Sequence, residues 1–188
     1  MPSDLPANTI ILKWCSSSGE DGEPRDRFVE LEFTNLTLTV SLAPDGPLGA
    51  RAVSQLWSHT AYELEKLVES LSFVLRDELP QFYEVRSKEM LIGPKVGLQP
   101  SLQVQVGHPG IGSPGRGAVF YVSKLRSGRR GPDLIEVEVT CAGRAVHGSF
   151  GVDVIAEFSE LLYDQAKRLA ERFVPDSPHP DDGSVDCT

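Results

Sequence analysis

Three glycines in the segment VGHPGIGSPGRGAV, residues 106–119, match the spacing G-x-G-x-x-G of phosphate-binding loops: Gly110, Gly112 and Gly115. A dinucleotide site of this kind needs a strand before the glycines and a helix after them, because the helix N-terminus holds the pyrophosphate. Here strand patterns lie on both sides, and the further motifs that mark a protein kinase are missing from the rest of the sequence. We therefore predict a plain connecting loop over residues 107–117, with no nucleotide or other cofactor.

A basic segment overlaps the end of this loop. Between residues 116 and 131 the chain has five basic side chains and no acidic one, and Tyr121 lies among them in sequence. Guanidinium groups pair bidentately with phosphate and carboxylate, so this segment could bind an anionic small molecule or an acidic partner. The alternative is a solvated turn whose charges pair with the protein's own acids. The candidate binding residues are Arg116, Tyr121, Lys124, Arg126, Arg129 and Arg130.

Two pairs of glutamates, Glu30 with Glu32 and Glu136 with Glu138, each lie two residues apart in a strand pattern. Side chains at this spacing project to the same face of a strand. Four such carboxylates on neighbouring strands could hold Mg²⁺ or share protons in acid–base chemistry. Like charges on one face are tolerated mostly where water screens them, however. We therefore expect a wet sheet face and no metal site.

Cys141 and His147 flank a predicted hairpin turn and could form a thiolate–imidazole pair, which would need hydrogen-bond reach and a third group to orient the histidine. Cys141 has the apolar parity of its strand, which favours an inert core thiol. The histidines lack the i, i+4 spacing of a helical metal site. We predict no catalytic residue, and the pattern favours a non-enzymatic protein.

The elements that must position these residues are mostly strands. Apolar and polar residues alternate, or apolar residues cluster, in seven segments: 9–14, 28–33, 36–42, 101–106, 117–125, 134–141 and 144–150. The alternation changes parity between Phe33 and Leu36, which predicts a bulge or tight turn at Thr34–Asn35. Ala142–Gly143 is typical of a hairpin turn. No internal repeat is visible in the sequence.

Two segments have helical periodicity. Apolar residues recur at spacings of three and four over residues 48–79, and Pro80 is the predicted stop. A second helix is predicted over 153–173, with Asp153 as N-cap and Pro175 beyond its end. Between the first helix and the later strands, residues 81–100 are expected to hold one or two short strands. If the apolar stripe of the first helix is wider than one sheet covers, it could support a homodimer.

These patterns predict an α+β fold: a two-layer, mainly antiparallel β-sheet with two long amphipathic helices packed on one face. The other face, which carries the four glutamates, would then contact water or a partner. We expect a single domain over residues 8–174. Residues 1–7 would be a flexible N-terminus, and residues 175–188 a disordered tail rich in acidic residues and proline.

Composition narrows the functional classes. The chain has 188 residues and a net charge of −9, which opposes binding to nucleic acid and to anionic membranes. Three cysteines without C-x-x-C spacing, and the lack of an N-terminal signal pattern, favour a cytoplasmic protein. We expect it to act by binding another protein, in an accessory, chaperone-like or toxin-neutralising role. The alternative is a small enzyme or ligand-binding domain that recognises an anionic small molecule through a basic hairpin at residues 116–131.

Overall fold

The computed structural model of the chain describes residues 8–13, 29–42, 50–56, 58–88, 103–106, 118–125, 134–141 and 143–173. Along these residues the chain passes through four strands, two helices, four more strands and a last helix. Each half of the described chain therefore consists of four strands followed by a long helix, and a short helix lies between the halves. The predicted loose ends, residues 1–7 and 175–188, lie outside the described residues.

The first four strands form one antiparallel sheet in chain order, which we call sheet A. They are β1 (Thr9–Leu12), β2 (Val29–Phe33), β3 (Thr37–Leu42) and β4 (Ala50–Gln55). Alternation explains which face is buried, because successive side chains of a strand point to opposite faces. In β2, Val29, Leu31 and Phe33 are buried, whereas Glu32 is exposed.

The parity change after Phe33 is resolved by a tight turn, as the sequence predicts. The backbone N–H groups of Leu36 and Thr37 donate to the Thr34 hydroxyl over 3.2 and 2.9 Å, and Thr34 N–H donates to the Thr37 carbonyl over 2.8 Å. Phe33 and Leu38 are therefore opposite each other, and both are buried. Leu36 lies in the turn and is 74% exposed, so it does not continue the apolar face of β3.

The last four strands form a second antiparallel sheet in chain order, sheet B. They are β5 (Gln103–Val106), β6 (Ala118–Leu125), β7 (Leu134–Cys141) and β8 (Arg144–Phe150). The predicted hairpin between β7 and β8 is confirmed, with Cys141 opposite Arg144. Gly143 has φ = 77° in this turn, a left-handed conformation that favours glycine because it has no Cβ.

Three helices complete the described fold: α1 (Ser58–Leu75), α2 (Pro80–Lys88) and α3 (Val152–Arg172). Every described side chain of α1 from His59 to Leu75 is buried or partly buried. Two of its serines satisfy their hydroxyl groups within the helix, since Ser70 and Ser72 donate to the carbonyls of Lys66 and Val68 over 2.9 and 2.7 Å. Helix α3 is amphipathic as predicted, and its buried stripe includes Ile155, Phe158, Leu162, Ala166 and Leu169.

The two sheets and the two long helices share one hydrophobic core. Helices α1 and α3 pack against each other along their length. The backbone of α1 also approaches β5 and β6 closely, whereas α3 approaches both β7 and β1. At the C-terminal end of α3, the Arg172 guanidinium donates a hydrogen bond to the Asn35 carbonyl in the β2–β3 turn of sheet A. The final helix thus bridges the two sheets.

The α+β class, the antiparallel pairing and the packing of two main helices are confirmed, but several boundaries are wrong. The strands of the described chain form two sheets where the sequence predicted one. Residues 50–55, assigned to the first helix, form β4 because they pair with β3. The helix ends at Leu75, and Pro80 begins α2, since a proline suits the first position of a helix. Short strands were expected over residues 81–100; residues 81–88 are helical instead, and residues 89–100 lie outside the described residues. The N-cap of α3 is Gly151, and Asp153 lies in the first turn, where its charge complements the helix dipole.

Candidate functional site

A shallow depression lies on the polar face of sheet B. Its volume is about 140 Å³, and it is lined by Tyr121, Ser123, Glu136, Glu138 and His147. The lining comes from three adjacent strands, β6, β7 and β8, whose opposite faces carry buried core residues such as Phe120 and Val137. Because the opposite face of the sheet is packed in the core, the backbone positions from which these polar side chains project are fixed.

Strand register explains why these five residues meet. Tyr121 of β6 is opposite Glu138 of β7, which is opposite His147 of β8, so the three form one row across the sheet. Ser123 and Glu136 form part of the next row. Adjacent strands lie about 4.8 Å apart, and residues two apart along a strand are separated by roughly 7 Å. Side chains of this length can therefore reach a common ligand.

The charge of the depression is acidic. It contains two carboxylates and an imidazole, and none of the described residues that line it is a lysine or arginine. Within the part of the chain that the structure describes, Glu136 and Glu138 form no hydrogen bond or ion pair through their side chains. Tyr121 is 41% exposed and presents an aromatic ring beside them. The depression thus offers negative charge and an aromatic surface to solvent.

The four glutamates do not come together. Glu30 and Glu32 lie on β2 of sheet A, whereas Glu136 and Glu138 lie on β7 of sheet B. Glu32 and Glu138 are exposed, and the other two are partly buried. Among the residues with described positions, no group of three or more His, Cys, Asp or Glu side chains has the arrangement of a metal site. The hypothetical four-carboxylate cation site is therefore wrong.

Cys141 and His147 lie on opposite faces of the β7–β8 hairpin. Cys141 is buried, and its Sγ donates to the Val40 carbonyl at 3.7 Å, so it contacts the backbone of sheet A. Burial also raises the pKa of the Cys141 thiol above its ordinary value, which disfavours the nucleophilic thiolate. His147 is exposed on the polar face. The core-thiol interpretation is confirmed, and these two residues cannot form a catalytic pair.

The structure describes only part of the predicted basic site. Arg116, Arg126, Arg129 and Arg130 lie outside the described residues, as does the glycine loop at 107–117. The strands on either side of that loop, β5 and β6, pair with each other, which agrees with the expected hairpin context. Tyr121 lines the depression, whereas Lys124 occupies a register position of the opposite face, across from Ile135. An anion site in this segment stays a prediction.

Sequence reasoning missed the contribution of Ser123 and His147 to the depression. His147 was considered only as a partner for Cys141. The two-residue turn after Cys141 contains the necessary signal, because it fixes the register of the hairpin and places His147 opposite Glu138. The pairing of β6 with β7 has no comparable signal, since the connection between Leu125 and Leu134 is longer.

Comparison with known proteins gives this chain no relative: no protein-family model, curated protein or solved structure matches it significantly. None of the helices in the described ranges has both the length and the apolar character required to span a bilayer.

Proposed function

We propose that this protein acts without catalysis, by binding another protein through the polar face of sheet B. The observation that carries the proposal is the depression around Tyr121, where an exposed aromatic ring adjoins two carboxylates without partners in the described residues. Tyrosine is enriched at the centres of protein interfaces, because it buries a large area with few rotatable bonds. An accessory, chaperone-like or toxin-neutralising role is consistent with such a surface.

The chemistry of the described residues supports binding over catalysis. A nucleophile needs a base within hydrogen-bond reach, but the Cys141 thiol and the His147 imidazole lie on opposite faces of their hairpin. The groups that do share a face are glutamate, tyrosine, serine and histidine side chains around a depression of about 140 Å³. Small-molecule pockets usually have volumes of roughly 300–1,000 Å³, so a depression of this size suits contact with part of a macromolecule better than a small substrate.

The partner that fits this face is basic. The whole chain has a net charge of −9, and the depression itself is lined by two glutamates. Complementary charge speeds association and selects against acidic partners. The cysteine pattern leads us to place this interaction in the cytoplasm. A second copy of the chain is a competing partner, which the experiment must distinguish.

The experiment compares two charge reversals of equal size. Glu136→Lys/Glu138→Lys changes the depression, whereas Glu30→Lys/Glu32→Lys changes the same strand spacing on sheet A. Each tagged variant and the parent chain would be isolated from the native host and measured by native mass spectrometry, after circular dichroism has shown that the variants fold. The expected result is a stoichiometric partner that is lost from the sheet B variant and kept by the sheet A variant.

Other outcomes would contradict the proposal in different ways. A partner lost equally from both variants would mean that general acidity drives binding. A partner retained by both would remove the polar face of sheet B from the interface. A mass of twice the chain, with no other protein present, would show that the bound species is a second copy.

A further inference from the structure

We infer that the depression binds a single arginine side chain presented by an extended segment of the partner protein. This inference rests on the proposed function, and it specifies the group that the site recognises.

The aromatic ring provides the first element of recognition. Tyr121 is 41% exposed and is the aromatic residue among those lining the depression. A guanidinium group is planar and stacks on an aromatic face, where the ring quadrupole attracts its charge at distances of up to about 6 Å. A neutral or anionic side chain would gain no such attraction.

The carboxylates provide the second element. Glu138 is directly opposite Tyr121, and Glu136 is diagonal to it, opposite Ser123. Directly opposite residues on a sheet have Cβ atoms roughly 5 Å apart, and diagonal ones roughly 7 Å apart. A guanidinium over the Tyr121 ring would therefore be near both carboxylates at once. Its five N–H donors form a fork that matches this two-carboxylate geometry better than a single ammonium does.

Charge complementarity favours this occupant over others. Within the described part of the chain, the two glutamates lack ion-pair partners and no lysine or arginine lines the depression. The corresponding face of sheet A differs, because Glu30 already takes part in an interaction. Two carboxylates that have no partner among the described residues therefore lie next to an aromatic ring on sheet B.

The test uses matched peptides in place of the unidentified partner. Each is the pentapeptide Gly-Ser-X-Ser-Gly with blocked ends, where X is arginine, its neutral isostere citrulline, or lysine. Binding to the intact chain labelled with ¹⁵N would be followed by chemical-shift changes of backbone amides. We expect the arginine peptide to shift the amides of Tyr121, Glu138 and His147, with a dissociation constant on the order of 1 mM, typical of one side chain. Citrulline should bind at least about tenfold more weakly, and lysine should be intermediate.

Variants of the chain locate the binding. Glu138→Gln removes one charge while keeping the shape, and should weaken the arginine peptide about two- to fivefold, because an ion pair between exposed groups is weak. Tyr121→Leu keeps an apolar side chain but removes the ring, and should weaken the peptide several-fold. Glu32→Gln on sheet A is the matched control and should leave binding unchanged. The arginine effect should also decrease at high ionic strength, because salt screens exposed charges.

The outcomes separate this inference from the proposed function. Equal binding of the arginine and citrulline peptides, or shifts confined to sheet A, would overturn the arginine site. The proposed function would survive that result if a partner still depended on Glu136 and Glu138. Conversely, arginine-selective shifts at sheet B, with a native partner indifferent to these glutamates, would support the arginine site and reject the proposed interface.

Discussion

The two halves of the described chain share an architecture and differ in what their open faces present. Each half is a four-stranded antiparallel meander followed by a long helix. On sheet A, the polar-face residues of β3 are partly or fully covered, and Thr39 is buried. On sheet B, Tyr121, Ser123, Glu138 and His147 are all exposed. The backbone arrangement is thus common to both halves, whereas the exposure of these polar side chains differs between them.

The largest expected change in the free energy of unfolding comes from substitutions that test whether the two halves are one folding unit. Phe120 of sheet B and Leu31 of sheet A are both fully buried in the shared core. Phe120→Ala should lower the free energy of unfolding by about 3–5 kcal/mol, and Leu31→Ala by about 2–5 kcal/mol, because each leaves a cavity. Urea denaturation followed by both circular dichroism and tryptophan fluorescence should show one transition for each variant. Two separate transitions would mean that the halves unfold independently.

The next largest effect concerns the turn between β7 and β8. Gly143 has a positive φ, and a Cβ at this position would meet no atom within 4 Å, so the cost of a substitution is conformational rather than steric. Gly143→Ala should destabilise the protein by about 1–2 kcal/mol, the cost of a left-handed alanine. Gly143→Asn is the matched control, since asparagine tolerates this conformation, and it should cost less. If the two variants were equally stable by thermal denaturation, the backbone conformation would not be the cause.

The free energy of unfolding should depend on pH through Cys141, whose Sγ contacts the Val40 carbonyl of sheet A. Burial raises the pKa of Cys141, so above the ordinary thiol pKa of about 8.5 the unfolded chain loses this proton while the folded chain retains it. The free energy of unfolding should therefore fall as pH rises through this range, by at most about 1.4 kcal/mol per pH unit from this group, and be unaffected well below it. Cys141→Ser, which lacks this titration, should show a shallower decline. Identical alkaline slopes in urea titrations would contradict the assignment.

The smallest expected effect concerns the β2–β3 turn, which is stabilised by the Thr34 side chain and not by a glycine. Thr34→Ala removes the hydroxyl that accepts from the N–H groups of Leu36 and Thr37. The expected loss is about 0.5–1.5 kcal/mol, because the freed donors are exposed and can bond to water. Thr34→Ser keeps the hydroxyl and should retain most of the stability. Hydrogen exchange at Leu36 and Thr37 would report the change locally, and unchanged protection would contradict the role of Thr34.

The sequence predicted the strands well where one face is buried. In β7, the alternation of Ile135, Val137 and Val139 with glutamates gives both the bounds and the buried face. It failed for β4, because Val53, Leu56 and Trp57 have helical spacing, and only pairing with β3 makes residues 50–55 a strand. It also failed for α2, where aromatic residues suggest strands. There, contact between the rings of Phe73 and Tyr83, 6.3 Å apart, packs the short helix against α1.

Neither the number of sheets nor the residues that meet at the depression could be predicted from local sequence patterns, because both depend on which strands pair. Alternation shows which side chains share a face of one strand, but not which strands are neighbours. The register of β6 against β7, which brings Tyr121 next to Glu138, therefore became visible only in the structure. The sequence did identify Tyr121 and Glu138 separately, as members of two different candidate sites.

The bridge that α3 forms to sheet A has a consequence for how the protein is made. Helix α3 packs against β1, although about 140 residues of chain separate them. At synthesis rates of roughly 5–20 residues per second, the ribosome needs roughly 7–30 s to produce that stretch. During this interval the nascent first sheet has its apolar side incompletely covered, so the growing chain is most exposed to aggregation before its last helix emerges.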